Sequence, residues 1–247
     1  MLSIATYNIH KGFSHFNRRM VLHELRDCLR SLSADIVFLQ EVLGENSLHP
    51  HRIHNYPASP QHEFLAEQRW LHFSYGKNCV YDAGHHGNAI LSRHPIIGTH
   101  NRDISAHRFE SRGLLHSQVQ LPNSEVVVHC FSVHLGLFAG GRRTQLRDMV
   151  QYIAHRVPEH EPVIIAGDFN DWRNEASGIL GRELGLYEVF ESLHGKPARS
   201  FPAKVPMLSL DRIYVRGLRL VEAHVHSQHP WDRVSDHAAL SATLRLS

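Results

Sequence analysis

Four short apolar runs in this chain each stop on a polar residue, and that arrangement narrows the folds open to it. Ile4-Ala5-Thr6-Tyr7 gives way to Asn8, and Ile36-Val37-Phe38-Leu39 to Gln40-Glu41. Val126–Val133 gives way to His134, and Val163-Ile164-Ile165-Ala166 to Gly167-Asp168. Runs this short and rich in β-branched residues read as buried strands, not helices. Helical patterns lie between them. Asn17 is placed to cap a helix in which Met20, Val21, Leu25, Cys28, Leu29 and Leu32 recur near helical period. Ser59-Pro60 opens a second helix through Trp70, with proline at its first position. A third pattern covers Arg142–Val157, and residues 175–184 a fourth. A β-rich middle runs through Phe73–Val80, Asn88–Ser92, Ile96–Asp103 and Gly113–Leu121, with a hairpin turn at Pro122-Asn123-Ser124. Strands at Ser209–Val215, Leu220–Val225 and Ala238–Leu246 complete the pattern, while 44–60 and 195–207 read as loops. Helices follow only some strands, so the expectation is one α/β domain over 1–247 built on mixed sheets.

Composition removes several classes of function. With 42 % apolar and 20 % charged residues the chain is neither disordered nor collagen-like. No apolar run approaches the roughly 18–20 residues of a membrane span, and the first residues show no signal peptide. Cys28, Cys79 and Cys130 are odd in number and far apart, which fits a reducing, cytoplasmic setting. Of the 26 basic residues only four are lysine, and the arginine excess reads either as phosphate pairing or as compositional bias. A net charge of +2 argues against a purely electrostatic nucleic-acid binder. Oligomeric state is not legible at this level.

The polar residues of interest sit where strands stop, and in layered α/β proteins such ends converge on ligands. Glu41, Asp236 and the Asn8 carboxamide offer oxygen donors suited to Mg²⁺ or Mn²⁺. Zinc is disfavoured, because its usual thiolate or paired-histidine spacing is missing. Asp168 and Asn170 are two apart, so in an extended segment both face one way, toward water and phosphate. Asp211 either holds His237 in one tautomer and stabilises its cationic form, or pairs with an arginine such as Arg212.

The strings Thr6-Tyr7-Asn8-Ile9-His10, Leu39-Gln40-Glu41-Val42, Ser132-Val133-His134-Leu135-Gly136, Gly167-Asp168-Phe169-Asn170-Asp171, Leu210-Asp211-Arg212-Ile213 and Ser235-Asp236-His237 occur in an order that resembles the endonuclease/exonuclease/phosphatase superfamily. Together with Asn8-Ile9-His10-Lys11-Gly12 and His85-His86-Gly87-Asn88-Ala89, they are most similar to a bacterial branch of it. The resemblance implies a four-layered α/β sandwich like that of pancreatic-type deoxyribonuclease (DNase I-like), two packed mixed sheets flanked by helices. It implies metal-assisted in-line attack of water on a phosphate ester. Glu41 is then the principal metal ligand with Asn8 beside it, and Asp236 contributes to the metal region. Asp168 positions or activates water, and Asn170 contacts the scissile phosphate. His237 is a general base or a phosphate-stabilising imidazolium partnered by Asp211, and His134 a second catalytic or phosphate-binding histidine.

His10 stands where some abasic-site nucleases of that family carry an acid, which speaks against a second metal and leaves His10 to bind phosphate. Asn88 either reaches the floor of the site or caps a turn. Arg142 and Arg143, at a helix start just past His134, either grip substrate phosphate or face solvent. The leading expectation is a phosphodiesterase acting on a small or phospholipid-headgroup diester. The alternatives are a nuclease on DNA or RNA and, from another class, an inactive interaction module. The His-rich 44–60 loop and Trp70, Trp172 and Trp231 either border a pocket, meet a membrane surface or pack in the core.

Overall fold

Each of the four apolar runs becomes a buried strand: β1 (Leu2–Asn8), β2 (Ile36–Asn46), β7 (Val127–His134) and β8 (Val163–Asp168). The computed structural model describes residues 1–15, 19–122 and 124–247. The expected cap at Asn17 and the turn position Asn123 lie outside them. The other strands are β3 (His72–Tyr81), β4 (Gly84–Ser92), β5 (Ile96–Asp103), β6 (Gly113–Gln120), β9 (Tyr187–Glu188), β10 (Asp211–Arg216), β11 (Leu218–His226) and β12 (Ala239–Leu246). They form two six-stranded sheets, ordered β11-β12-β1-β2-β4-β3 and β5-β6-β7-β8-β10-β9. Both are mixed. The pairs β1/β2 and β7/β8 are parallel, so their carboxyl ends lie together, while β12/β1, β2/β4 and β10/β8 are antiparallel.

Period-two alternation sets the layers. In β1, Ile4 joins Phe38, Ile90, Cys130, Ile164 and Ile213 between the two sheets. Ala5 and Tyr7 point the other way, against Leu22, Leu25 and Leu29 of α1 (Leu22–Ser31) and Leu65 of α3 (Gln61–Ala66). The far face of the second sheet is covered by Leu146, Met149 and Ile153 of α4 (Ala139–Arg156) and Leu180 of α5 (Glu175–Leu184). The result is the expected helix–sheet–sheet–helix sandwich. Burying one such leucine contributes about 1.5–3 kcal/mol, so three apolar layers hold a polar site rigidly at their common edge.

Several boundaries differ from the sequence reading. Helix α1 starts at Leu22 with Val21 in the cap position and no side-chain cap. Pro60 is the cap of α3, not its first residue, and that helix ends at Ala66. Trp70 is instead buried, its indole donating to the Ala34 carbonyl at 3.0 Å. The 44–60 stretch holds the end of β2 and the short α2 (His49–Arg52), and β9 leads into α6 (Val189–His194), whose first turn is capped by the Glu188 carboxylate. Among the described residues, no helix is long and apolar enough to cross a membrane.

Candidate active site

Strand register delivers the site. Asn8, the last residue of β1, lies opposite Gln40 in β2. The next residue, Glu41, has φ 55°, and the β2/β4 ladder slips between Leu39 and Val42. A bulge with a left-handed glutamate costs about 1–3 kcal/mol and re-aims its side chain. In the second sheet Asp168 pairs with His134 on one side and with Asp211 on the other. Gly167 makes that possible. At φ 150°, a Cβ there would stand 2.0 Å from the Val133 carbonyl oxygen. Near the same edge the Gln40 amide donates to Ser132 Oγ at 3.2 Å, tying the sheets together.

Asn8 bridges the sheets from within the site. Its Nδ2 donates to Glu41 Oε1 at 3.2 Å and to Asp168 Oδ2 at 3.1 Å, while its Oδ1 accepts the His10 amide at 3.1 Å. Asp168 Oδ2 also stands 3.5 Å from His134 Nε2 and 3.8 Å from His237 Nε2. The other face of the His237 ring meets Asp211, Nδ1 to Oδ2 at 2.8 Å. Two carboxylates directly opposite on neighbouring strands repel, and the imidazole between them answers that repulsion. Burial alone would lower the His237 pKa, but Asp211 and Asp168 overcome it and push the ring up to about 10. It is therefore an imidazolium at neutral pH. Burial raises the Asp168 carboxyl, against His237 and His134, and burial lowers His134. Glu41 goes the other way. Against burial, His134, Lys11 and the Asn8 amide hold it down to about 2.

These groups open on one cleft of about 440 Å³ that takes in Glu41, His134, Asp168, Asn170 and His237. Asn170 is there by a different geometry from the one expected. It is left-handed at φ 49°, its N–H donates to Asp168 Oδ1 at 2.9 Å, and its Nδ2 donates to the Leu135 carbonyl at 3.0 Å. The segment turns back on Asp168 instead of running extended. Of its two expected partners Asp211 contacts His237, while the Arg212 guanidinium donates to the carbonyls of Ser209 and Asp171.

Four expected substrate contacts are not among the residues lining that cleft. The Asn88 amide donates to the Gly113 and Ser132 carbonyls, so it braces the sheets beneath the site. His10 Nδ1 faces Asp236 Oδ1 at 3.4 Å. Arg142 is buried, donating to the Gly136 and Leu137 carbonyls, with its guanidinium 4.7 Å from the Trp172 ring centre. Arg143 forms an exposed two-pronged pair with Glu175 of α5 at 2.7 and 2.9 Å. A helix start resembles an anion site, but carbonyls engage Nη1 of the buried Arg142, whose Nη2 has no hydrogen-bond partner, and an acid close in space occupies Arg143. Arg143→Ala is therefore expected to leave KM unchanged in steady-state assays and stability within about 0.5 kcal/mol. Besides His134 and His237, the cleft is lined by the cationic and imidazole groups of Lys11, His86 and Arg112. Lys11 and His86 fall inside strings quoted above without a role. Arg112 carries no sequence signal, since nothing periodic precedes it.

The pattern of the endonuclease/exonuclease/phosphatase family matches residues 5–237. The chain belongs to that family. It is 46 % identical over 243 residues to the uncharacterized protein YbhP of Escherichia coli (strain K12), a match covering 98 % of this chain and 96 % of the relative. Solved structures share the fold at lower identity. A functionally unknown conserved protein of Enterococcus faecalis V583 superposes with TM-score 0.78 at 18 % identity, over all of both chains. D. rerio TDP2 complexed with a single-strand DNA product gives 0.73 at 21 %, over 99 % of this chain and 98 % of that one. The Bacteroides thetaiotaomicron mannosyl-6-phosphatase Bt3783 gives 0.70 at 14 %, over 99 % of each.

Endonuclease/exonuclease/phosphatase family proteins usually use a divalent metal, and the donor set here can be tested for one. Glu41 is ionised, and its Oε2 faces Lys11 Nζ at 4.0 Å. One hard carboxylate at a solvent-reached cleft suits Mg²⁺ or Mn²⁺, which keep several waters. Asn8 presents its amide nitrogen to Glu41, and Asp236 faces His10, so neither supplies an oxygen beside Glu41 as placed. Ligand atoms of Asp168, Asp211 and His237 also lie within 4.8 Å of one another. A cation there would be repelled by the imidazolium that stands between both acids. Glu41 is the better fit.

Proposed function

We propose that this chain is a divalent-metal-assisted phosphodiesterase hydrolysing a small or phospholipid-headgroup diester by in-line attack of water. The observation that carries the reading is the convergence of Glu41, Asp168 and His237 on one cleft from both sheets. Glu41 would hold Mg²⁺ or Mn²⁺, which supplies Lewis-acid polarisation of a phosphoryl oxygen when bound. Asp168, its pKa raised by burial, accepts the proton of the attacking water. The His237 imidazolium stabilises charge growing on the phosphoryl oxygens, and Asp211 keeps it protonated and aimed. His134, beside Asp168 and with its pKa lowered by burial, orients water or phosphate.

The test is a panel of bis(4-nitrophenyl) phosphate, glycerophosphodiesters, phospholipids, inositol phosphates, DNA and RNA. Each is assayed with Mg²⁺ and Mn²⁺ against chelator, with Asp168→Ala as blank. Glu41→Gln is expected to raise the metal concentration for half-maximal rate by at least about tenfold. An unchanged metal titration would remove Glu41 from that role. A nuclease reading is favoured by Trp172, an exposed ring at the cleft on which a base could stack, and by the DNA product held by the D. rerio TDP2 structure. Steep salt dependence of DNA binding would support it.

A further inference from the structure

Large apolar side chains crowd the rim of the cleft where solvent would favour polar ones. Phe109 is 82 % exposed, Phe138 76 %, Leu137 57 % and Trp172 47 %. Leu137 borders both the catalytic cleft and a neighbouring groove of about 360 Å³, which Phe109 and Phe138 also line and which shares His86 and Arg112 with the cleft. Across the opening, Phe201 and Leu208 are bridged backbone to backbone and both line the cleft. The hairpin they close carries Lys204, Val205 and Met207 at its exposed tip, Met207 at 62 %. Packing needs none of this exposure, and apolar surface grouped round a polar site marks an interaction surface.

The charges say what the surface meets. The Arg108 guanidinium lies 4.5 Å from the Phe109 ring centre, Lys204 is exposed on the hairpin, and Lys11 and Arg112 stand at the cleft. Glu110, the acid on the Phe109 loop, is turned inward. It accepts from the Gln145 amide at 2.7 Å and faces Arg112 at 3.9 Å. Asp232 and Asp236, behind Lys204, each face a histidine. An apolar rim backed by cations complements an anionic bilayer, with aromatic and aliphatic tips among the acyl chains and Arg and Lys at the phosphates.

We infer that this rim is a docking surface for an anionic phospholipid bilayer, which presents the phosphodiester to the cleft. The inference rests on the phosphodiesterase reading for its substrate, but the docking itself is measured without turnover. The probes are sucrose-loaded phosphatidylcholine vesicles with and without phosphatidylglycerol. They are tested with the full chain and with the triple variant Phe109→Ser/Phe138→Ser/Met207→Ser. All three residues are exposed, and serine at position 138 is a favourable helix cap. Expected are partition onto the phosphatidylglycerol vesicles and a blue shift of tryptophan emission. That shift reports Trp172, because Trp70 and Trp231 are buried. The variant should lose partition by about tenfold or more while hydrolysing bis(4-nitrophenyl) phosphate at the parental rate. Absent partition, or equal partition of variant and parent, overturns the inference. So does rim-dependent binding of oligothymidine without vesicle binding, which would make the rim a strand-binding surface. Vesicle partition without hydrolysis of any phosphodiester would overturn the proposed reaction and leave the docking standing.

Discussion

Asp168→Asn is expected to lower kcat by about 10³-fold or more, within the range for loss of a general base, and to leave the fold intact. Asparagine keeps the volume and can still accept the Asn170 N–H, but its amide nitrogen then faces the Asn8 donor, so circular dichroism should hold while melting falls by an amount worth about 1–3 kcal/mol. What disappears is the proton acceptor. The same change removes one of the two carboxylates flanking His237, so its pKa should fall from about 10. Rate and pH profile therefore move together. A variant with near-parental kcat would take Asp168 out of the mechanism and the proposed base with it.

His237→Ala is expected to cost about 10²–10⁴-fold in kcat, and the pH profile separates its two roles. A ring whose pKa is raised to about 10 is cationic across neutral pH and loses its charge only in alkali. If it acts as an imidazolium, kcat/KM holds through neutrality and falls as pH rises through about 10. His237→Ala then lacks that alkaline limb. A parental profile that climbs near pH 6–7, with the climb lost in the variant, would instead make His237 the base. Stability follows the same sign. The folded pKa lies above the ordinary histidine value of about 6.5, so the stabilisation is whole below that value and fades as pH rises through about 10. Melts on either side of that window should converge for parent and variant at the alkaline end.

Much of this was legible because strands stop where chemistry begins. Glu41, His134, Asp168 and His237 each interrupt or abut an apolar run, and parallel pairing brings such ends together. What was not legible depends on contacts distant in sequence. Arg112 enters the cleft from a segment without periodicity, and Arg143 is claimed by Glu175, thirty-two residues away. Asn170 violates the two-residue rule because the chain turns left-handed immediately after β8. β9 is only two residues long, and it forms because β10 offers an edge. Propensity carries no record of such a partner.

The place of β1 in its sheet bears on how the chain is made. It lies between β2 and β12, and the Ser235 hydroxyl donates to the Asn8 carbonyl at 2.7 Å. During synthesis β1 must therefore wait, one edge unpaired, until the distant β12 has also been made. A nascent chain with a long-lived open edge invites β-pairing with its neighbours and gives chaperones a natural point of engagement.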